Sequence, residues 1–348
     1  MALQYKDLVT LAKTVLKADT SAPVAYSFNG NNYSRDDLRE TLKNEIRELS
    51  GSYRLYRENK NIIFNLMEDA INEVFPQRVM KAYSMFAEMK TFKQGDKPIF
   101  TQKITAASRR RAHQFIGKVG LNGLYEIFKL DGQSFEVPTD AIGGAASVGW
   151  EEFLDGRVDL ADVLDILLEG LDECIYMEIE KQLHGAAARV QGANKVSGGG
   201  FNENQMDRLI GIAESYGSKA VIYCTFDFAA KMVPSTGWVS DEMRNERWDN
   251  GYLGNYKGHQ VIVLPNSYED TTNKVQVIDP SYAYIIPSGA EKPVKIAFEG
   301  DAIANEIQNY DHTSEIHIYK KVGVRAIFST DICIYQNTDL SRVRYTGP

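Results

Sequence analysis

The chain has 348 residues, 43% hydrophobic and 25% charged, with a formal net charge of −8. That length can bury a sizeable core and suffices for two or three domains, and no run of eighteen apolar residues suggests a membrane span. The acidic balance argues against a dedicated, tight nucleic-acid binder, although it does not exclude a local basic patch.

The amino-terminal segment is lysine-broken and lacks the apolar block of a signal peptide. Leu3, Leu8, Leu11, Ala12, Val15 and Leu16 share one helical face over residues 3–18. Thr20–Tyr33, with Pro23 and Gly30, reads as a loop. Ser34, with Asp37 three residues on, is an N-cap signal for a helix carrying Leu38, Leu42, Ile46 and Leu49, which ends at Ser50-Gly51-Ser52. A further helix is expected from about Asn59 through Val74, with Ile62, Ile63, Leu66, Met67, Ala70 and Ile71 as its stripe. Pro76 should interrupt it, leaving a weaker amphipathic piece to Ala87. Residues 1–95 are thus read as a helical N-terminal region or arm.

The character changes at Gly95. From Pro98 to Val148 the chain is β-branched, aromatic and glycine-punctuated. Glu126–Leu130, Asp131-Gly132 and Gln133–Val137 form a hairpin signal, since Asp-Gly is a favoured two-residue turn. Pairing across it would set Phe128 opposite Phe135, adding about 0.2–1 kcal/mol. Pro138 and Gly143-Gly144 are expected to close the return strand. A ribbon of this length has no core of its own and must lie on another body.

From Asp155 to Ala188 runs an amphipathic rod with Leu160, Val163, Leu164, Leu167, Leu168, Leu171, Ile175, Ile179 and Leu183 on its apolar face. Asp155, Asp159 and Asp162 at its start, and Lys181, His184 and Arg189 at its end, suit the helix dipole. Ala186 to Gly200 reads as a glycine-rich linker or mobile loop. Asn202 caps a helix with Met206, Leu209, Ile210 and Ala213 inward. Lys219–Thr225 is a buried strand, followed by short helices at Phe226–Val233 and Glu242–Trp248. Strands are expected at Lys257–Leu264, Ala283–Ile286, Val294–Phe298, Glu315–Tyr319 and Gly323–Gln336. The class is α+β.

No nucleophile elbow, P-loop, zincin motif or paired C-x-x-C occurs. Cys174, Cys224 and Cys333 are odd in number, far apart and in apolar segments, which fits buried thiols in a reducing compartment. Gly117, Gly120 and Gly123 lie in the ribbon and read as strand bends. Aligning Gly156 with the glycine of a calcium loop puts Phe153 at a ligand position and Asp162 where glutamate is needed, so the acids are read as helix-start charges. His312 and His317 lack a third ligand. Arg109-Arg110-Arg111, with Lys103 and His113, is either a solvated turn or a contact with carboxylates of a neighbouring subunit, less readily with phosphate. Trp150, Trp238 and Trp248 are read as packing anchors. No residue carries a catalytic, cofactor or metal assignment, and the protein is read as a non-enzyme.

The run Phe115–Thr139, FIGKVGLNGLYEIFKLDGQSFEVPT, resembles the extended E-loop of tailed-bacteriophage major capsid proteins. AIGGAA at Ala141–Ala146 and EFLDGR at Glu152–Arg157 lead into the long helix, which resembles that family's spine helix. GHQVIVLP at Gly258–Pro265, Asp279-Pro280, YIIP at Tyr284–Pro287, VKI at Val294–Ile296 and Glu299-Gly300 resemble its axial domain, and Ile316–Asn337 its returning peripheral strands. The likeness covers about residues 96–340.

The resemblance implies the Johnson fold, shared with encapsulins, with an E-loop ribbon over 96–154. A peripheral domain with the spine helix would span 155–200, the axial domain 201–305, and the returning strands with the C-terminus 306–348. It implies a virion shell of pentamers and hexamers, assembled in the host cytoplasm around double-stranded DNA, with weak, salt-sensitive genome contact. Scaffold, portal or decoration proteins are further partners of such shells; a membrane is not. Tyr125, Phe128, Lys129, Asp131, Gly132 and Phe135 are the expected E-loop contacts, and Arg109, Arg110 and Arg111 a second contact. Deleting Tyr125–Thr139 should then leave a folded subunit that no longer closes shells. Some relatives join lysine to asparagine between subunits; Lys118 and Lys129 lie on the ribbon, but no motif marks a partner asparagine and no such bond is expected. The chain begins at Met1, and cleavage of a leading scaffold region is not expected. The alternatives are an encapsulin-like compartment shell and, more remotely, a soluble enzyme with a site of dispersed residues.

Overall fold

The computed structural model describes residues 5–17, 26–28, 31–84, 86–102, 133–149, 160–190, 192–216, 219–233, 240–264, 266–269, 271–288, 292–308, 313–328 and 331–343. Along the chain come helix α1 (Tyr5–Lys17), the strand pair β1 (Tyr26–Phe28) and β2 (Asn31–Tyr33), and helices α2 (Arg35–Ser50) and α3 (Tyr53–Tyr83). Strands β3 (Ala87–Phe92), β4 (Ile99–Gln102), β5 (Gln133–Glu136) and β6 (Asp140–Gly149) precede the long helix α4 (Leu160–Arg189). Next are β7 (Lys195–Gly198), α5 (Glu203–Glu214), β8 (Ala220–Thr225), α6 (Phe226–Lys231), α7 (Asp241–Asn250), β9 (Asn255–Tyr256) and β10 (His259–Leu264). Strands β11 (Tyr282–Pro287), β12 (Val294–Gln308), β13 (Thr313–Ala326) and β14 (Cys333–Asn337) follow. Two compact units result, one of Met1–Pro98, Val137–Ile175 and Ile296–Val324, the other of Ile99–Glu136, Tyr176–Lys295 and Arg325–Pro348.

In the first unit, Ser34 and Asp37 form the expected capping box. Asp37 N donates to Ser34 Oγ (3.2 Å) and Ser34 N to Asp37 Oδ2 (3.0 Å). Ser52 caps α3 through Leu55 N (3.3 Å), so this helix starts at Tyr53 rather than Asn59. It also runs through Pro76 without ending. Val74, Phe75 and Val79 are buried on both sides of the proline, and their packing offsets the one lost N–H.

A four-stranded sheet in the order β3-β12-β13-β6 completes this unit. Polar side chains of α3 bond it directly: Asn72 Oδ1 accepts from Ala302 N (2.7 Å) and Lys320 Nζ (2.7 Å), and Glu68 Oε1 from Ala304 N (2.8 Å). Lys320 is buried, which lowers its pKa, with Asp301 opposing. Strand β6 pairs antiparallel with β13 from Asp140↔Val322 to Thr313↔Gly149. Gly143-Gly144 therefore lie inside a strand instead of closing one. A Cβ on Gly143 would strike the Ile318 carbonyl and come within 2.6 Å of Tyr319 Cβ, so the glycine permits close strand approach. Strand β13 is continuous through Gly323, and the single expected strand Gly323–Gln336 is instead divided between β13 and β14.

The second unit holds a six-stranded sheet in the order β7-β14-β11-β8-β10-β9. The β7–β14 and β8–β10 pairs are parallel, and the β14–β11, β11–β8 and β10–β9 pairs antiparallel. Helix α5 is capped by Asn202 and buries Met206, Leu209, Ile210 and Ala213, as its spacing requires. The expected linker Ala186–Gly200 is largely structured. Arg189 ends α4, and β7 pairs with β14. Beyond β7, Gly200 N donates to Asn337 Oδ1 (3.0 Å) and Tyr335 Oη to Gly200 O (3.0 Å), and a Cβ on Gly199 would meet Asp339 Oδ1 at 3.0 Å. These glycines allow close docking. Lys257 (φ 48°) and Gly258 (φ 87°) form the two-residue turn between β9 and β10. The Lys257 ammonium is fixed by Glu203 (2.6 Å) and Asp207 (2.5 Å).

Helix α4 has 30 residues, about 45 Å at 1.5 Å rise. Leu168, Leu171, Ile175, Ile179 and Leu183 of its expected stripe are buried, and Leu167 is half-buried. Asp155, Asp159 and the side chain of Asp162 lie outside the described residues. Cys224 and Cys333 are buried free thiols, both pushed up to about 12 by burial, whereas Cys174 is half-buried.

Candidate interaction surfaces

Of the expected ribbon contacts, Tyr125, Phe128, Lys129, Asp131 and Gly132 lie outside the described residues, as do Arg109, Arg110 and Arg111. Phe135 is described. Its strand β5 pairs antiparallel with β4, from Ile99↔Glu136 to Gln102↔Gln133. Phe135 stacks on the buried Phe100, with ring centroids 6.3 Å apart and planes within 9°. The chain between Gln102 and Gln133 thus leaves and returns at one paired base. Arg325 Nη1 donates to Glu136 O (2.7 Å), which fixes the end of β5.

In the first unit, the residues following the ribbon are fastened by Glu299. Its Oε1 accepts from Gly95 N (3.0 Å) and Lys321 Nζ (3.4 Å), and its Oε2 from the Thr139 hydroxyl. The Thr139 bond, then the Gly95 N–H and then Lys321 lower its pKa, outweighing burial. This role was missed in the sequence reading. The available signal was an acid directly following the apolar strand residues Ile296–Phe298.

Helix α7 is well capped: Met243 N donates to Ser240 Oγ (3.2 Å), and Gly251, left-handed at φ 79°, donates its N–H to Arg247 O (2.8 Å). Yet it buries no residue, and Trp248 is 89% exposed. Trp248 is therefore not a packing anchor in this chain; Trp150 and Trp238 lie outside the described residues. Phe226 is half exposed and meets Tyr252 edge-on at 6.1 Å. His317 Nε2 lies 3.1 Å from Glu315 Oε2 at the surface, and His312 is outside the described residues. Among the described residues no three His, Cys, Asp or Glu side chains gather as a metal set.

Within the second unit a cavity of about 380 Å³ is lined by Glu180, Lys181, His184, Glu269, Asp279 and Arg342. Glu180 is 5% exposed; its Oε1 accepts from Asp279 N (3.1 Å), and its Oε2 has no hydrogen-bond partner among the described residues. Burial pushes the carboxyl up to about 7; the Asp279 N–H and Arg342 oppose this, and the Asp279 charge adds to it. Arg342 Nη2 binds Glu269 Oε2 (2.8 Å), and its Nε binds Gln276 O (2.6 Å). The His184 ring stands edge-on to Tyr282 at 5.5 Å. Glu180 was also missed, although Tyr176, Glu180, Leu183 and Ala187 lie on one helical face.

The family described as "SPbeta prophage-derived putative capsid protein YonB" matches residues 7–336. Among curated proteins none matches. Among solved structures, the asymmetric unit of bacteriophage PhiM1 mature capsid is similar at 9% identity and a TM-score of 0.50, covering 73% of this chain and 86% of that one. The capsid of native GTA particle is similar at 10% identity and a TM-score of 0.50, over 74% and 89%. A virus-like particle from Pyrococcus furiosus is similar at 12% identity and a TM-score of 0.45, over 79% and 99%. At these identities the likeness is one of fold, and the fold is that of phage capsid subunits.

Proposed function

The chain belongs to the SPbeta prophage-derived capsid protein family, and on that premise we propose that it is a major capsid protein that self-assembles into an icosahedral shell around double-stranded DNA. The observation that carries this reading is the family match, which spans residues 7–336. The subunits would associate as pentamers and hexamers, assembled in the host cytoplasm and retained in the virion, with scaffold, portal or decoration proteins as further partners. The role is structural, not enzymatic. The net charge of −8 suits a container whose hold on its genome is weak and salt-sensitive.

On this reading residues 1–95 form the N-terminal region, 96–154 the E-loop and 155–200 the spine-bearing part of the peripheral domain. The axial domain would be 201–305 and the returning strands 306–348. Tyr125, Phe128, Lys129, Asp131, Gly132 and Phe135 would contact one neighbour through the ribbon, and Arg109, Arg110 and Arg111 would meet carboxylates. Phe135 is suited to hold the ribbon base, given its stacking on Phe100. The test is electron microscopy of particles formed by the full chain with its native scaffold genes, followed by nuclease-protected DNA extraction. Closed particles holding DNA are expected. Only small oligomers under those conditions would overturn the shell reading, and closed particles packed with protein would point to a compartment shell.

A further inference from the structure

Glu180 occupies a setting unsuited to a carboxylate. One oxygen has a single donor, the Asp279 N–H, and the other has none among the described residues. A buried ionised carboxylate needs donors on both oxygens, and leaving one unsatisfied is costly. The cations on the same cavity are engaged elsewhere: Lys181 Nζ binds Glu178 (3.3 Å), and Arg342 binds Glu269 and Gln276 O. Glu180 and Glu269 thus line one cavity with a single guanidinium, and the cavity of about 380 Å³ gives that side chain room to move.

Arg342 is also how the C-terminal segment holds the turn before β11. Gln276 N donates to Arg342 O (3.0 Å), Val275 bridges to Val343, and Arg342 Nη2 reaches back to Glu269. We propose that Glu180, Arg342 and Glu269 form a proton-operated exchange. With Glu180 neutral, Arg342 clamps Glu269; when Glu180 loses its proton, Arg342 leaves Glu269 for Glu180 and loosens the C-terminal segment on the turn from Ser267 to Val277.

The groups facing this exchange are Lys181 and His184 from α4, Glu269 and Asp279 from the turn, Tyr282 and Tyr284 from β11, and Arg342 from the C-terminal segment. The folded-state value for Glu180, about 7, lies above its ordinary 4.5. Stability contributed by the neutral acid is therefore complete below about 4.5 and is lost as pH rises to about 7. The inference stands independently of the shell reading, because it concerns one folded subunit in any assembly state.

The test compares the full-length protein with Glu180→Gln by hydrogen exchange of peptides covering residues 267–277 at pH 5.5 and 8.5, corrected for intrinsic rates. The native chain should lose protection several-fold on going to the higher pH, while Glu180→Gln, which leaves His184 intact, should hold it. Equal loss in both proteins would overturn the proposal. A second variant, Glu269→Gln, frees Arg342 for Glu180 and should move the midpoint of the pH-dependent melting temperature downward. An unchanged midpoint would count against the exchange even if Glu180 titrates.

Discussion

Asp172 on α4 shows how a single half-buried charge makes stability depend on pH. Its Oδ2 lies 2.9 Å from Arg78 Nε, and its Oδ1 has no partner among the described residues. Burial pushes the carboxyl up to about 6, Arg78 pulls it down, and Glu169 adds to the rise. Because the folded value exceeds the ordinary 3.8, the stability this residue supports is full below about 4 and lost as pH climbs to about 6. Arg78→Ala should accordingly cost little at pH 5, where the acid is largely protonated, and about 1–3 kcal/mol at pH 8, where it leaves a charge without its cation. Chemical denaturation at the two pH values checks this; an equal cost at both would mean that Asp172 titrates normally. At this scale, apolar burial was legible in the sequence: the α5 stripe and the buried part of the α4 stripe follow from spacing alone. Glu180, Glu299 and the exposure of Trp248 were not, because each depends on what distant segments bring or fail to bring to it.

Among the elements, glycine has opposite meanings that the sequence does not distinguish. On α4, Gly170 has no atom within 4 Å of an added Cβ, whereas on β6 a Cβ at Gly143 would collide with β13. Gly170→Ala should stabilise by about 0.5–1 kcal/mol through helix propensity, and Gly143→Ala should destabilise by about 1–3 kcal/mol through overpacking. Thermal melts of the two variants should move in opposite directions; a loss with Gly170→Ala would indicate a contact made only on assembly. Composition alone likewise misleads at two elements. Glycines 198–200 resemble a linker in composition, yet β7 pairs with β14 and the glycines dock near its end. Pro76 resembles a stop, yet buried residues on either side carry α3 through it. Capping was more legible at Ser34 and Asn202, which act on residues only three positions away, whereas Ser52, read as a helix end, caps α3.

For the whole molecule, the order of segments was the most informative part of the sequence, since the α+β phage-capsid fold is a matter of sequence of elements more than of any motif. The contact between β4 and β5 was less accessible, because the paired residues lie 31 to 37 positions apart. It changes where the ribbon should be cut. Phe135 belongs to the folded second unit through Phe100, and Val137 and Thr139 to the folded first unit through burial and Glu299. Replacing residues 105–130 with a short flexible link, instead of deleting Tyr125–Thr139, should give subunits with native-like melting that no longer close particles; electron microscopy showing shells of normal size would refute an assembly role for the ribbon. The strand order of the second unit has a further consequence, for synthesis. Strand β14 lies between β7 and β11, both of which are made before it. A nascent chain cannot complete that sheet until Cys333–Asn337 have left the ribosome, so the facing edges of β7 and β11 stay open until then. Among the described strands of this sheet the last in chain order is therefore also the seal, and neighbouring nascent chains would meet unfinished edges before they could meet finished subunits.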